Sequence, residues 1–217
     1  PSTSTLSNSM PSAVSAANLA NPATAAIQIT GNVLNNVITG GTGNDTLDGG
    51  AGNDFLVGNQ DRDSLIGGDG NDTMLGGQGS DTFAGGQGAD SMVGGDQRDI
   101  ADYSASSEAV TVDLEEGTGS GGDAEGDELS EIEGVIGSVG NDSLAGAGED
   151  ETLLGGEGDD TLAGRGGADS LDGGNGDDFA DYSDSSEAVT VDLGTGEGSG
   201  GDAEGDTLSG FEGVIGS

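Results

Sequence analysis

From Leu47 onward, single large apolar side chains recur every nine residues among glycines and polar residues: Leu47, Leu56, Leu65, Met74, Phe83 and Met92, then Leu144, Leu153, Leu162 and Leu171. A fixed short period marks a repeat architecture, in which each unit buries its apolar residue only against its neighbours. Aligned on their leading glycines at Gly40, Gly49, Gly58, Gly67, Gly76, Gly85 and Gly94, seven rows carry Asp at position 6 and an apolar residue at position 8. A degenerate row starts at Gly31, and a second array starts at Gly137 and continues at Gly146, Gly155, Gly164 and Gly173. Positions 1–6 read as a turn that glycine permits through positive φ or close backbone approach. Positions 7–9 read as a strand about 10 Å long, with position 8 facing inward.

Before the rows the pattern is different. Residues 1–44 carry no charge, and residues 1–24, rich in Ser, Thr, Ala and Asn with three prolines, read as a linker. From Ile27 the text alternates, and with Val33, Val37 and Ile38 it suggests short strands that cap the rows. Between the arrays lies a different unit, 103–136. It recurs from Tyr182 at an offset of 79 residues, so that DYSASSEAVTVDL is matched by DYSDSSEAVTVDL. Its 109–114 stretch alternates as a strand does. Asp123, Glu125 and Asp127, and their counterparts Asp202, Glu204 and Asp206, read either as further cation loops or as a solvated acidic hairpin. The organisation expected is a linker or cap over 1–30, a first array over 31–102, an insert over 103–136, a second array over 137–181 and a second insert over 182–217. Ser138 runs straight into another row, so its counterpart Ser217 is expected to lead toward a further repeat.

Composition sharpens this picture. The 217 residues hold 42 Asp+Glu against 3 Lys+Arg, a formal net charge of −39, with 30% hydrophobic residues and 47 glycines. Taken alone this is the signature of a disordered acidic chain; the phase of the acids within the rows argues for order instead. The charge excludes nucleic acid as a partner and disfavours anionic membranes, and no apolar run approaches the roughly 18 residues of a membrane span. With no Cys and no His, only oxygen donors are available, which suits a hard cation such as Ca²⁺ or Mg²⁺. GTGSGG at 117–122 and GEGSGG at 196–201 match a dinucleotide fingerprint only formally, because no helix follows.

The rows resemble those of the RTX (repeats-in-toxin) family, whose repeat G-G-x-G-x-D-x-U-x binds calcium. The resemblance covers about 40–102 and 137–181. It implies an all-β fold, a right-handed parallel β-roll in two nonapeptide arrays separated by a β insert. Two rows then make one turn, and rows 18 residues apart stack at about 4.8 Å. That brings position-6 carboxylates into register, where two of them about 5 Å apart repel by about 3 kcal/mol at an effective dielectric near 20. A shared Ca²⁺ reverses the sign. In the family the ion is shared by the carboxylates of rows i and i+2 and by turn carbonyls. Carried over, the ligands are Asp45, Asp54, Asp63, Asp72, Asp81, Asp90, Asp99, Asp142, Asp160, Asp169 and Asp178. Asn36 and Glu151 stand at position 6 of degenerate rows, and the row at Gly146 is expected not to fill. Arg62 and Arg98, beside ligand positions, are read as substitutes for missing cation charge. Some relatives bind ice through Thr and Asn ladders, which only Thr42 with Asn44 would fit.

The resemblance also implies type I secretion from a Gram-negative cell, an extracellular or cell-surface location, and folding on calcium after export. The chain is expected not to be an enzyme on its own. It reads as a structural or adhesive module of a surface-layer, filament or adhesin type, with calcium ions as partners and a homo-oligomer or filament possible through the repeat ends. The alternative is an accessory module of a secreted hydrolase, toxin or epimerase whose catalytic domain lies outside this chain.

Overall fold

The computed structural model describes residues 2–5 and 26–216. The chain forms two compact units. The first comprises residues 1–102 and 123–132, the second residues 103–122 and 133–217. Each is a parallel β-solenoid, and no α-helix occurs among the described residues.

In the first unit, alternate rows feed two sheets. One contains Ser2–Thr5, Ile27–Asn32, Thr46–Ala51, Ser64–Asp69, Thr82–Gln87 and Ile100–Asp102, all parallel. The other contains Val37–Gly41, Phe55–Gln60, Thr73–Gln78, Ser91–Asp96 and Glu128–Ser130. The register is the expected 18 residues per turn: Ile29, Leu47, Leu65, Phe83 and Ala101 stack in one file. Ile38, Leu56, Met74, Met92 and Leu129 stack in the other. All of them are buried. The segment after Ile27 therefore contributes a turn of the solenoid itself. Of residues 1–24, read as a linker, Ser2–Thr5 is a strand paired with Ile27–Thr30; the remainder lies outside the described residues.

The second unit repeats the arrangement. Gly134–Ile136, Thr152–Glu157, Ser170–Asn175 and Thr207–Ser209 pair in parallel, stacking Val135, Leu153, Leu171 and Leu208. Thr111–Asp113, Ser143–Ala145, Thr161–Ala163, Phe179–Asp181 and Gly213–Ile215 do the same with Val112, Leu144, Leu162, Ala180 and Val214. Antiparallel hairpins at Thr111–Asp113 with Thr118–Ser120, and at Thr190–Asp192 with Glu197–Ser199, are added by the inserts.

Two local features depart from expectation. Most full rows have strands of six residues rather than three, because the ladder continues through positions 1–3; in Thr46–Ala51 the alternation buries both Leu47 and Gly49. The true turn is only positions 4–6. At Gly68, position 2 of its row, crowding requires glycine: φ is 112, and a Cβ there would fall on the carbonyl oxygen of Gly50 in the preceding turn. Second, position 8 is not the only inward position. Every position-6 carboxylate is buried as deeply as the core apolar residues, with Asp45 at 2% exposure and Asp99 at 0%.

Candidate metal centre

Burying a carboxylate without a partner is costly, so the position-6 side chains must be held by something. Each tight turn aims its Asp along the solenoid axis at the turn before it. The N–H of Asp45 donates to Oδ1 of Asp63 (2.7 Å), that of Asp63 to Asp81 (2.7 Å) and that of Asp81 to Asp99 (2.6 Å). On the other edge of the first unit, Asn36 donates to Asp54 (2.5 Å), Asp54 to Asp72 (2.7 Å), Asp72 to Asp90 (2.8 Å) and Asp90 to Asp127 (2.8 Å). In the second unit Val110 donates to Asp142 (2.7 Å), Asp142 to Asp160 (2.7 Å), Asp160 to Asp178 (2.8 Å), Glu151 to Asp169 (2.8 Å) and Asp169 to Asp206 (2.9 Å). The side-chain ladder runs beside a backbone one, in which Ser91 donates to the Asp72 carbonyl at 2.9 Å.

One oxygen of each carboxylate is used in this way. The second is buried and accepts no hydrogen bond at Asp45, Asp54, Asp63, Asp72, Asp81, Asp90, Asp160, Asp169 and Asp178, and the same holds for Oε2 of Glu151. These oxygens share a surrounding. A Cβ built on Gly40 would lie 2.5 Å from Oδ2 of Asp45 and 2.7 Å from the carbonyl oxygen of Gly58, one turn on. Carboxylate and carbonyl thus converge on one point, which only the missing side chain of glycine leaves open. No three acidic side chains gather at one place among the described residues, so backbone carbonyls would have to complete any shell.

The electrostatics agree. Burial raises the carboxyl groups of Asp63, Asp90 and Asp169 to about 7 and those of Asp54 and Asp160 to about 6. Backbone N–H bonds oppose that shift, and neighbouring acids reinforce it, Asp127 beside Asp90 and Asp206 beside Asp169. A hard dication with oxygen ligands fits this donor set. Bound there, it would supply the positive charge that the buried oxygens lack. The residues that would hold it are the position-6 acids and the position-1 glycine carbonyls.

All eleven acids anticipated as ligands lie buried in these ladders. Asp142 differs from the others. Ser138, where most rows have glycine, donates its N–H to Oδ2 (2.5 Å) and its hydroxyl to Oδ1 (2.7 Å), so neither oxygen is orphaned. Glu151 is buried in phase with its neighbours, its longer side chain reaching the same carbonyl cradle at Gly146 and Gly164. Of the three acids in each insert loop only the last enters a ladder. Asp127 and Asp206 are buried, whereas Glu125 and Glu204 are exposed. Asp206 also accepts the Tyr182 hydroxyl at 2.7 Å, and Glu212 accepts the N–H of Asp178 at 2.8 Å. Glu212 carried no signal in the nine-residue phase. Arg62 and Arg98 are exposed rather than within a ladder. The cation that does enter the scaffold is Arg165, whose guanidinium pairs with both oxygens of Asp113 (2.9 and 2.7 Å) and donates to the Gly146 carbonyl (2.6 Å).

The profile of the RTX calcium-binding nonapeptide repeat (four copies) matches residues 30–65, 66–101 and 145–180. No curated protein matches the chain.

Proposed function

We propose that this chain, which carries the RTX calcium-binding nonapeptide repeats, is a calcium-stiffened structural or adhesive module of a large secreted or cell-surface protein, unfolded inside the cell and ordered by external calcium. RTX repeats bind Ca²⁺ at multiple sites and are a calcium-binding module of secreted proteins, of a non-catalytic structural type. The observation that carries the finer reading is the file of buried carboxylates, each with one oxygen bonded to the adjacent turn and most with the other left without a partner. Without a cation such a file opposes folding; with one it joins each turn to the next, and binding free energy becomes folding free energy. The ligands in this reading are the eleven position-6 Asp residues, with Glu151 added and Asp142 the weakest. Solenoids built of stacked rows suit a load-bearing or spacing role, and stacking of repeat ends would extend it to an oligomer. Among the described residues no helix is long and apolar enough to cross a membrane.

The test is far-UV circular dichroism and sedimentation in EDTA and in millimolar Ca²⁺. The spectrum should pass from disordered to β as calcium is added, with Mg²⁺ at equal concentration far less effective because it demands a near-octahedral shell. A chain already β-rich and cooperatively melting in EDTA would refute the coupling.

A further inference from the structure

We propose that a polar groove on one edge of the first unit binds a neutral oligosaccharide through hydrogen bonds to its hydroxyl groups. The open groove has a volume of about 490 Å³ and is lined by Asn44, Gln60, Asp61, Arg62, Gln78 and Gln97, together with the small Gly79 and Ser80. That volume lies within the roughly 300–1,000 Å³ of small-molecule sites. The lining is the opposite of a usual apolar pocket: no aromatic or aliphatic side chain contributes. Amides dominate, and an amide presents a donor and an acceptor side by side, which matches adjacent hydroxyls of a sugar ring. Gln60 and Gln78 stand in register on neighbouring strands, and the Gln78 amide donates to Asp96 at 3.4 Å. The polar groups therefore repeat at strand spacing, as sugar units do along a chain.

The backbone supplies an independent argument. Asn59, Asp61 and Gln97 have φ of 87, 72 and 84, in the left-handed region that costs a side-chain-bearing residue stability. They occupy row positions 2, 4 and 4. On the other edge of the same unit those positions are glycine: Gly50, Gly52, Gly68, Gly70, Gly86 and Gly88, all with positive φ. Among the other described side-chain-bearing residues of the first unit only Glu131, after the insert strand, shares this conformation (φ 55), and Asp61 and Gln97 wall the groove on either side of the Gly79 row. Neither side chain belongs to the buried carboxylate ladders, although Asp61 accepts the N–H of Gly43 one turn back at 2.9 Å. A neutral ligand is favoured over an acidic one because the chain carries −39, which repels anions despite Arg62 at the rim.

Binding is tested on the whole chain in saturating calcium, by saturation-transfer NMR and calorimetry. The probes are β-1,4- and α-1,4-linked glucose hexamers and a galacturonate hexamer. A neutral hexamer should bind with a dissociation constant on the order of millimolar, as expected of hydrogen bonds without ring stacking. The double variant Asp61→Gly/Gln97→Gly should stay folded, because relief of strain offsets the bond lost from the Gly43 N–H, and should bind at least tenfold more weakly. Gln78→Ala should also weaken binding while leaving the fold intact. The proposal is overturned if neither neutral hexamer binds, if only galacturonate binds, or if the double variant keeps its affinity.

Discussion

Replacing Asp72 by Asn separates the charge of a ladder carboxylate from its role as an acceptor. Oδ1 of Asp72 takes the buried N–H of Asp54 at 2.7 Å, the N–H of Asp72 goes to Asp90 at 2.8 Å, and Oδ2 has no partner. Asn keeps the Oδ1 acceptor and removes the anionic ligand, so the metal-free ladder should survive while calcium binding weakens. Removing one member of a buried charge pair costs roughly 3 kcal/mol or more. The first unit contains six N–H-to-carboxylate steps that start from an Asp. With about one ion per step and RT about 0.6 kcal/mol, a loss of about 3 kcal/mol shifts the logarithm of the folding midpoint by about 0.8, a rise of about twofold. Asp69→Asn removes the same charge three residues away, at an exposed position, and should leave the midpoint level or slightly lower by easing self-repulsion. Asp72→Ala should be worse than Asp72→Asn even in EDTA, because the Asp54 N–H loses its acceptor at a further cost of about 1–3 kcal/mol. Calcium titrations followed by circular dichroism at fixed ionic strength give all the midpoints. Equal midpoints for Asp72→Asn and Asp69→Asn would refute the ligand assignment and the register beneath it.

Acid should partly replace calcium. The carboxyl groups of Asp63, Asp90 and Asp169 are raised to about 7 in the fold, so the folded state binds more protons than the unfolded one. Their contribution to metal-free stability is complete below the unfolded value near 4 and is lost as pH rises through about 7. In EDTA, β content should therefore increase from pH 8 to pH 5, and the calcium midpoint for folding should fall over the same descent, because protons and calcium both stabilise the folded state; a pH-independent midpoint would contradict both. Arg165→Gly should lower the urea midpoint in saturating calcium by the equivalent of about 1–2 kcal/mol. It loses the paired bonds to Asp113 and the bond to Gly146, partly offset by relief at a residue with φ 64; an unchanged midpoint would show the pair to be idle. Tyr182→Phe should destabilise the second unit by about 1–2 kcal/mol, since a buried oxygen of Asp206 loses its hydroxyl donor, and hydrogen exchange of the 170–175 strand is the readout. Leu65→Ala, which empties a fully buried core position, should cost about 2–5 kcal/mol and raise the calcium midpoint.

Much of this molecule was legible in its sequence because its interactions are nearly one-dimensional. When each row touches mainly the rows 18 residues away, a nine-residue phase of Asp and Leu specifies strands, pairing partners and core files together, and Leu47 stacks on Leu65 as the phase requires. The donor chemistry was legible for the same reason, since a chain without Cys or His offers a cation only oxygen. What escaped the phase was whatever depends on chain that leaves it. Glu212 reaches the N–H of Asp178 across 34 residues, and Asp127 and Asp206 enter ladders at a separation of 37 rather than 18, because the inserts loop out and return before presenting a carboxylate. Arg165 meets Asp113 across 52 residues, by way of an insert hairpin whose first strand pairs with Ser143–Ala145. The fate of individual oxygens was also a tertiary matter. Asp142 and Asp160 occupy the same repeat position, yet one is saturated by Ser138 and the other keeps a bare buried oxygen. A period can place a carboxylate, but what satisfies it depends on which donors the neighbouring turn packs against it, and that is decided only when the turns are stacked.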